Sequence, residues 1–316
     1  MSAVVNAAFP VFALILTGWL AARAKILGES ATQALNRYVV YLSLPALLFR
    51  AMANADLTQL NHWGYIGAFW GGICVTFVLA FVPLTRRESG TAFSDRSLQG
   101  LAGAYANAGY MGIPLCLALL GPASLPPAII ATLLTACALF AATIALIEFD
   151  QHRDRHWAAT LTKVARALAR NPLLIAPVTG LVLALAGLQV PSGVDHYLEL
   201  LGASASPCAL VTIGLFLAQT PAAGGNHSVG RMVLAKLLVQ PGVTALLAFW
   251  VFDMPPVWAW TAVLMAALPI GTGPFMLAQM YGRDATPTSR AILVSTLASV
   301  VTVSLLVAWI SRHPLV

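Results

Sequence analysis

Asn107, Gly109, Gly112 and Pro114 fall together inside an otherwise apolar run from Leu98 to Leu120, and Pro269, Gly271, Thr272, Gly273 and Pro274 interrupt a second run from Val257 to Tyr281. A proline inside a helix removes one backbone donor and frees a carbonyl, while nearby glycines let the chain leave helical geometry. In hydrocarbon each loose polar group costs several kcal/mol, so an unwound segment persists only when buried in protein or lining a wet cavity. Half-helices beginning near Pro114 and Pro274 would aim unsatisfied N–H groups and positive dipole ends inward, a receptor for a small anion. Free carbonyls on the opposite half-helices, with the Asn107 amide and the Thr272 hydroxyl, would hold a cation or polar substrate atoms. A lone proline kink is more often structural, and Pro10, Pro45, Pro177 and Pro207 are read that way; the two paired clusters are read as a binding region.

The elements that must position these clusters are membrane helices. The 316 residues are 59% hydrophobic and 9% charged, with a mean hydropathy of +0.83, which excludes an ordinary soluble domain. A bilayer core of roughly 30 Å needs about 20 apolar helical residues per crossing. We place spans at residues 3–22, 36–54, 63–84, 98–120, 126–148, 171–188, 196–219, 230–252, 257–281 and 288–310. With the N-terminus outside, 15 of the 17 basic residues then fall on the cytoplasmic side, leaving Arg50 and Arg312 outside. This predicts an inner-membrane protein with both termini outside the cytoplasm. No positive residue precedes the first apolar run, whereas Arg23 and Lys25 follow it, the polarity of an uncleaved anchor. The net charge of +6 reflects dispersed loop residues and implies no nucleic-acid partner. Cys74, Cys116, Cys137 and Cys208 all lie within spans and suggest neither a disulfide framework nor a metal site.

Other chemistry is sparse. All eleven Asp and Glu lie in loops or near span ends, which disfavours proton coupling through a buried acid. A sodium site of amide, hydroxyl and carbonyl oxygens stays open, as do exchange and uniport, and no other cofactor is expected. No HExxH, GxSxG or Walker pattern occurs, so an enzyme lacks its chemistry. Lys236 is read first as snorkelling to the cytoplasmic interface and otherwise as a cation near the substrate. Arg50 poses the same choice at the outer end of the second span, and Gln279 either faces the site or packs between helices.

Shifting the sequence by 162 positions superposes Pro10 on Pro172, Thr17-Gly18 on Thr179-Gly180, Pro45 on Pro207 and Gly109 on Gly271. This predicts a duplication: a five-helix repeat over 1–150, a basic cytoplasmic connector over 151–170, and a second repeat over 171–316. Five being odd, the copies are inverted, as in many secondary transporters. The connector is expected to form an interfacial helix with Trp157, Leu161, Val164 and Leu168 on one face.

The segments LSLPALLFRAM (42–52), ANAGYMGIPLCLALLG (106–121), SASPCALVTIGLFLA (204–218), AKLLVQPGV (235–243) and LPIGTGPFMLAQMYG (268–282) resemble the auxin efflux carrier family, whose bacterial members include proteins labelled malonate or dicarboxylate permeases. The resemblance implies an all-α polytopic membrane protein of ten helices in two inverted repeats, with broken helices four and nine crossing as in bile acid symporters and sodium/proton antiporters. It further implies a scaffold of helices one, two, six and seven, able to dimerise, and a core that moves as an elevator carrying an organic anion. Asn107 maps to the family's carboxylate-contacting asparagine; its repeat partner, asparagine in auxin carriers, is Pro269 here, which points to a small aliphatic carboxylate. The expected function is secondary transport of a mono- or dicarboxylate such as malonate; the alternatives are an anion-gated sensor or channel, and a sodium-coupled symporter of a larger acid. Expected site residues are Asn107, Gly109, Gly112, Pro114, Pro269, Gly271, Thr272, Gly273, Pro274, Gln279 and Lys236.

Overall fold

Backbone groups in a bilayer core have no water to bond, so apolar segments satisfy them internally as helices. The computed structural model describes residues 2–54, 62–83, 90–151, 162, 166, 169–170, 172–219 and 227–312, the side chains of 2–8, 279 and 312 excepted. The expected connector helix and the Gln279 side chain therefore lie outside the described residues. In chain order the helices are α1 (Ser2–Arg23), α2 (29–53), α3 (Trp63–Phe81), α4 (Phe93–Ala104), α5 (Ala108–Leu120), α6 (Pro122–Gln151), α7 (Pro172–Leu185), α8 (Ser192–Gln219, with a turn at Ser204), α9 (His227–Val251), α10 (Pro256–Ala266), α11 (Gly273–Met280) and α12 (Thr286–Arg312). Five of these, α3, α6, α8, α9 and α12, are long and apolar enough to cross a membrane. The protein is an all-helical polytopic membrane protein.

One boundary differs from expectation for a physical reason. Helix α2 starts at Glu29 rather than near residue 36, because the Glu29–Tyr38 stretch is amphipathic and too polar to read as a span. Glu29 in its first turn complements the helix dipole. Widened π turns at Val39–Ser43, Ala108–Gly112 and Ala235–Val239 each end two residues before a proline: Pro45, Pro114 and Pro241. A proline deprives the preceding turn of a bond and crowds its carbonyl, and the wider turn absorbs both.

Packing is closest between α1 and α8 and between α7 and α2. Glycine makes this approach feasible: a methyl on Gly18 would lie 2.1 Å from the Val211 carbonyl oxygen, and one on Gly180 would lie 2.4 Å from that of Phe49. Small residues substitute for a hydrophobic drive that lipid cannot supply. Ion pairs fix the helix ends. Arg50 forks onto Asp195 at 2.8 and 3.0 Å, joining α2 to α8. Arg283 forks onto Asp95, joining the end of α11 to the start of α4. Beside it the Ser94 amide and hydroxyl donate to Asp150, and the Tyr281 hydroxyl donates to Glu148 at 2.8 Å. Glu148 is 4% exposed. Glu148 thus lies at a span end, as expected, but is buried there because Tyr281 covers the end of α6. In the loop before α12, hydrogen bonds from Thr286 hold the Asp284 carboxyl below the usual carboxylate range.

Gly18→Val is expected to lower the thermal unfolding midpoint in detergent by the equivalent of about 1–3 kcal/mol, the usual cost of overpacking. Gly193→Ala, where a methyl meets nothing within 4 Å, leaves the midpoint unchanged within about 0.5 kcal/mol.

Candidate functional site

Both apolar runs identified as interrupted are broken, at 105–107 between α4 and α5 and at 267–272 between α10 and α11. The two unwound segments meet. They run antiparallel with Ala106 opposite Ile270. The Asn107 amide donates to the Pro269 carbonyl at 2.8 Å, and the Gly271 amide donates to the Tyr105 carbonyl at 3.0 Å. Each break thus supplies partners the other has lost. Pro269 has no N–H to return to Asn107, whose carbonyl instead accepts from Met111 and Gly112 at 3.1 Å each.

Neighbouring helices satisfy what remains. The Ile270 amide donates to the fully buried Ser295 hydroxyl of α12 at 3.1 Å. Ala104 and Ala266 are the last residues of α4 and α10, where helix carbonyls lack intrahelical donors. Gln240 Nε2 lies 3.4 Å from the Ala104 oxygen, and Lys236 Nζ lies 2.5 Å from the Ala266 oxygen. Both side chains, one turn apart on α9, are 0% exposed. Lys236 does not snorkel. The Ala266 carbonyl, one end of the break, draws it inward instead.

In the second break, α11 begins at Gly273 with Pro274 in its first turn, as expected. In the first break the half-helix starts at Ala108, not near Pro114, because the π turn carries the helix back through Gly109 and Gly112. Gly112 is a packing residue, where a methyl would lie 2.6 Å from the Met265 sulfur. Pro114 is buried beside it in sequence, within α5. Gly271 and Gly273 give room to the Tyr105 ring, 3.0 and 2.4 Å from where their methyls would be. Asn107 is 6% exposed, and its side chain makes no hydrogen bond among the described residues.

A cavity of about 480 Å³ lies against the crossover. Thr272, Phe275 and Met276 of the second break and α11, with Tyr110 of α5, form one wall; Thr32, Gln33 and Asn36 of α2 and Thr212, Phe216 and Gln219 of α8 form the other. The Tyr110 hydroxyl donates to Asn36 Oδ1 at 2.5 Å, and Gln219 Nε2 donates to Thr32 at 2.9 Å. Among the described residues Glu29 is the one charged side chain in the lining. The N–H groups of Gly273 and Phe275 precede the first helical bond of α11, which runs from Met276 to the Thr272 carbonyl at 3.1 Å. Of the expected residues whose side chains are described, Thr272 alone lines this cavity. Asn36, Tyr110 and Thr212 were not singled out by sequence, since no spacing links them before the chain folds. Lys236 and Gln240 carried a signal: two polar residues four apart share one face of an apolar helix.

A helical membrane protein with a polar cavity set against two mutually bonded helix breaks has the form of a membrane transport protein. Residues 3–307 match the membrane transport protein family, and the chain belongs to this family, that of the auxin efflux carriers. It is accordingly a transporter and not an enzyme. It is 32% identical over 305 residues to a protein of Rhizobium meliloti (strain 1021) provisionally named malonate transporter, covering 96% of this chain and 95% of that one. An uncharacterized transporter of Methanothermobacter thermautotrophicus is 24% identical, covering 93% of this chain and 94% of its own. A protein of Oryza sativa subsp. japonica provisionally named auxin efflux carrier component 1b is 29% identical over 143 residues, 43% of this chain and 26% of its own.

Ser295→Ala, which orphans the buried Ile270 amide, is expected to destabilise the protein by about 1–2 kcal/mol in thermal unfolding. Ser299→Ala removes a hydroxyl bonded only within its own helix, to Thr296, and costs about 0.5 kcal/mol or less.

Proposed function

We propose that the protein is a secondary transporter of a small organic anion, a mono- or dicarboxylate such as malonate, held in the cavity between α2 and α8 on one side and the crossover on the other. The observation that carries this reading is the cavity's junction with both half-helices that start at the breaks. Tyr110 of α5 and Thr272 with Phe275 of α11 share it, so the positive ends of two helices converge on one polar space. Its volume, about 480 Å³, falls in the range of small-molecule sites, roughly 300–1,000 Å³. The lining offers neutral donors from Gln33, Asn36, Gln219 and Ser289. Such groups bind a carboxylate without the desolvation cost of a buried ion pair. The name of the Rhizobium relative supports the substrate class.

Transport proceeds by alternating access between two inverted repeats, 1–150 and 171–316. The spacing of close contacts supports this: Gly18 meets Val211 while Gly180 meets Phe49, and both residues of the first pair are displaced by 162 positions from their counterparts in the second. Ala104 and Ala266, the ends of α4 and α10, are likewise 162 apart, as are Asn107 and Pro269. Helices α1, α2, α7 and α8 form the static scaffold, which dimerises; the helices around the crossover form the part that moves. The membrane is the bacterial inner membrane, with both termini outside. Glu29 and Gln219 of the lining adjoin loops on the basic side of the sequence, which supports a cavity that faces the cytoplasm. Asn107 stands just before α5 with its side chain uncommitted and meets the substrate carboxylate as the core moves.

Counterflow of labelled malonate in proteoliposomes tests this reading. Wild-type protein gives saturable exchange; Thr272→Val and Asn36→Ala each raise the half-saturating concentration about tenfold, the effect of losing one hydrogen bond to a charged group. Asn107→Ala abolishes exchange while leaving the unfolding midpoint near normal. Unaltered exchange in all three variants would remove this cavity from the transport path.

A further inference from the structure

The crossover contains a basic side chain that the substrate cavity does not use. Lys236 is fully buried, and its Nζ donates to the last carbonyl of α10. Among the described residues no carboxylate pairs with it, in contrast to Arg50 and Arg283, which each fork onto an aspartate. A buried cation without compensation costs several kcal/mol. Two helix C-termini converge here, each equivalent to about half a negative charge, so together they balance about one ammonium. Gln240, one turn along α9, reaches the equivalent carbonyl of α4. Its own side-chain oxygen is buried without a partner.

The arrangement is one-sided. The offset of 162 that relates Ala104 to Ala266 takes Lys236 and Gln240 to Cys74 and Val78 on α3, both exposed and neither able to hold a helix end with a charge. One helix therefore closes both carbonyl ends. In broken-helix transporters such carbonyl ends are where alkali cations or protons are coordinated.

We propose that the Lys236 ammonium is the resident counter-charge of the crossover, occupying the place of a coupling cation, so that transport requires no sodium. Gln240 is a positioning residue that holds the α4 end in the same clamp. This rests on the transporter reading but not on the identity of the substrate. Neutralising Lys236 leaves the Ala266 carbonyl and the orphan Gln240 oxygen on hand, an all-oxygen set that suits a hard monovalent ion.

The test compares wild type, Lys236→Gln and Lys236→Arg in sodium and in choline. Wild-type malonate exchange is expected to agree within about twofold in the two salts, and its unfolding midpoint without substrate is expected to be the same in both. Lys236→Gln loses about tenfold in choline, recovers several-fold in about 100 mM sodium and gains a sodium-dependent rise in midpoint, whereas Lys236→Arg stays indifferent to the salt. A merely structural lysine would not create a sodium response. A sodium-dependent wild type overturns the proposal, with or without a folded variant. A folded Lys236→Gln protein that remains blind to sodium also overturns it. Because the midpoints are read without substrate, absence of malonate exchange would count against the proposed substrate and leave this result standing.

Discussion

The constraint that governs this molecule is that no backbone N–H or C=O can go unpaired in hydrocarbon. Two helices broken in mid-course would each be untenable alone. They are tenable together because the unwound segments lie antiparallel and exchange hydrogen bonds, Asn107 to Pro269 and Gly271 to Tyr105. The remaining loose ends are taken by Ser295, Gln240 and Lys236 from two other helices. The crossover is thus a shared piece of secondary structure assembled from six helical elements and their connections. The glycines around it keep it thin: Gly271 and Gly273 admit the Tyr105 ring, and Gly112 admits Met265.

Function follows from the polarity of that assembly. The helix ends that carry loose carbonyls are closed by side chains, while the half-helix starts at Ala108 and Gly273 adjoin the cavity through Tyr110, Thr272 and Phe275. Negative helix ends are neutralised inside the protein and positive ends are left for a ligand. On this account the same broken helices that would cost several kcal/mol become an anion receptor that needs no charged side chain in its wall. The Tyr110–Asn36 bond then joins the crossover to α2 across the cavity, and the Gln219–Thr32 bond joins α8 to α2 on the opposite wall.

Much of this was legible in the chain. Composition and hydropathy gave the membrane class, and Pro274 preceded by glycines marked the start of α11 because an N-terminal proline loses no bond. Pro114 misled, since an adjacent π turn absorbs its missing bond and lets the helix begin at Ala108. Lys236 misled for another reason: hydropathy along one helix cannot register the carbonyl end of a second helix arriving beside it. Asn36 was hidden because it stands at the polar edge of the expected second span, and only folding brings α8 and α5 to it. Position along a helix is written locally, whereas the partner that satisfies a buried polar group is a tertiary fact.

The central claim is that a small carboxylate sits beside two mutually bonded helix breaks. An experimental density map of the protein in lipid with malonate tests it most directly. The account predicts unwound backbone at 105–107 and 267–272 in mutual contact, with ligand density between Asn36, Tyr110 and Thr272. Continuous fourth and ninth spans, or malonate bound away from both breaks, would contradict it.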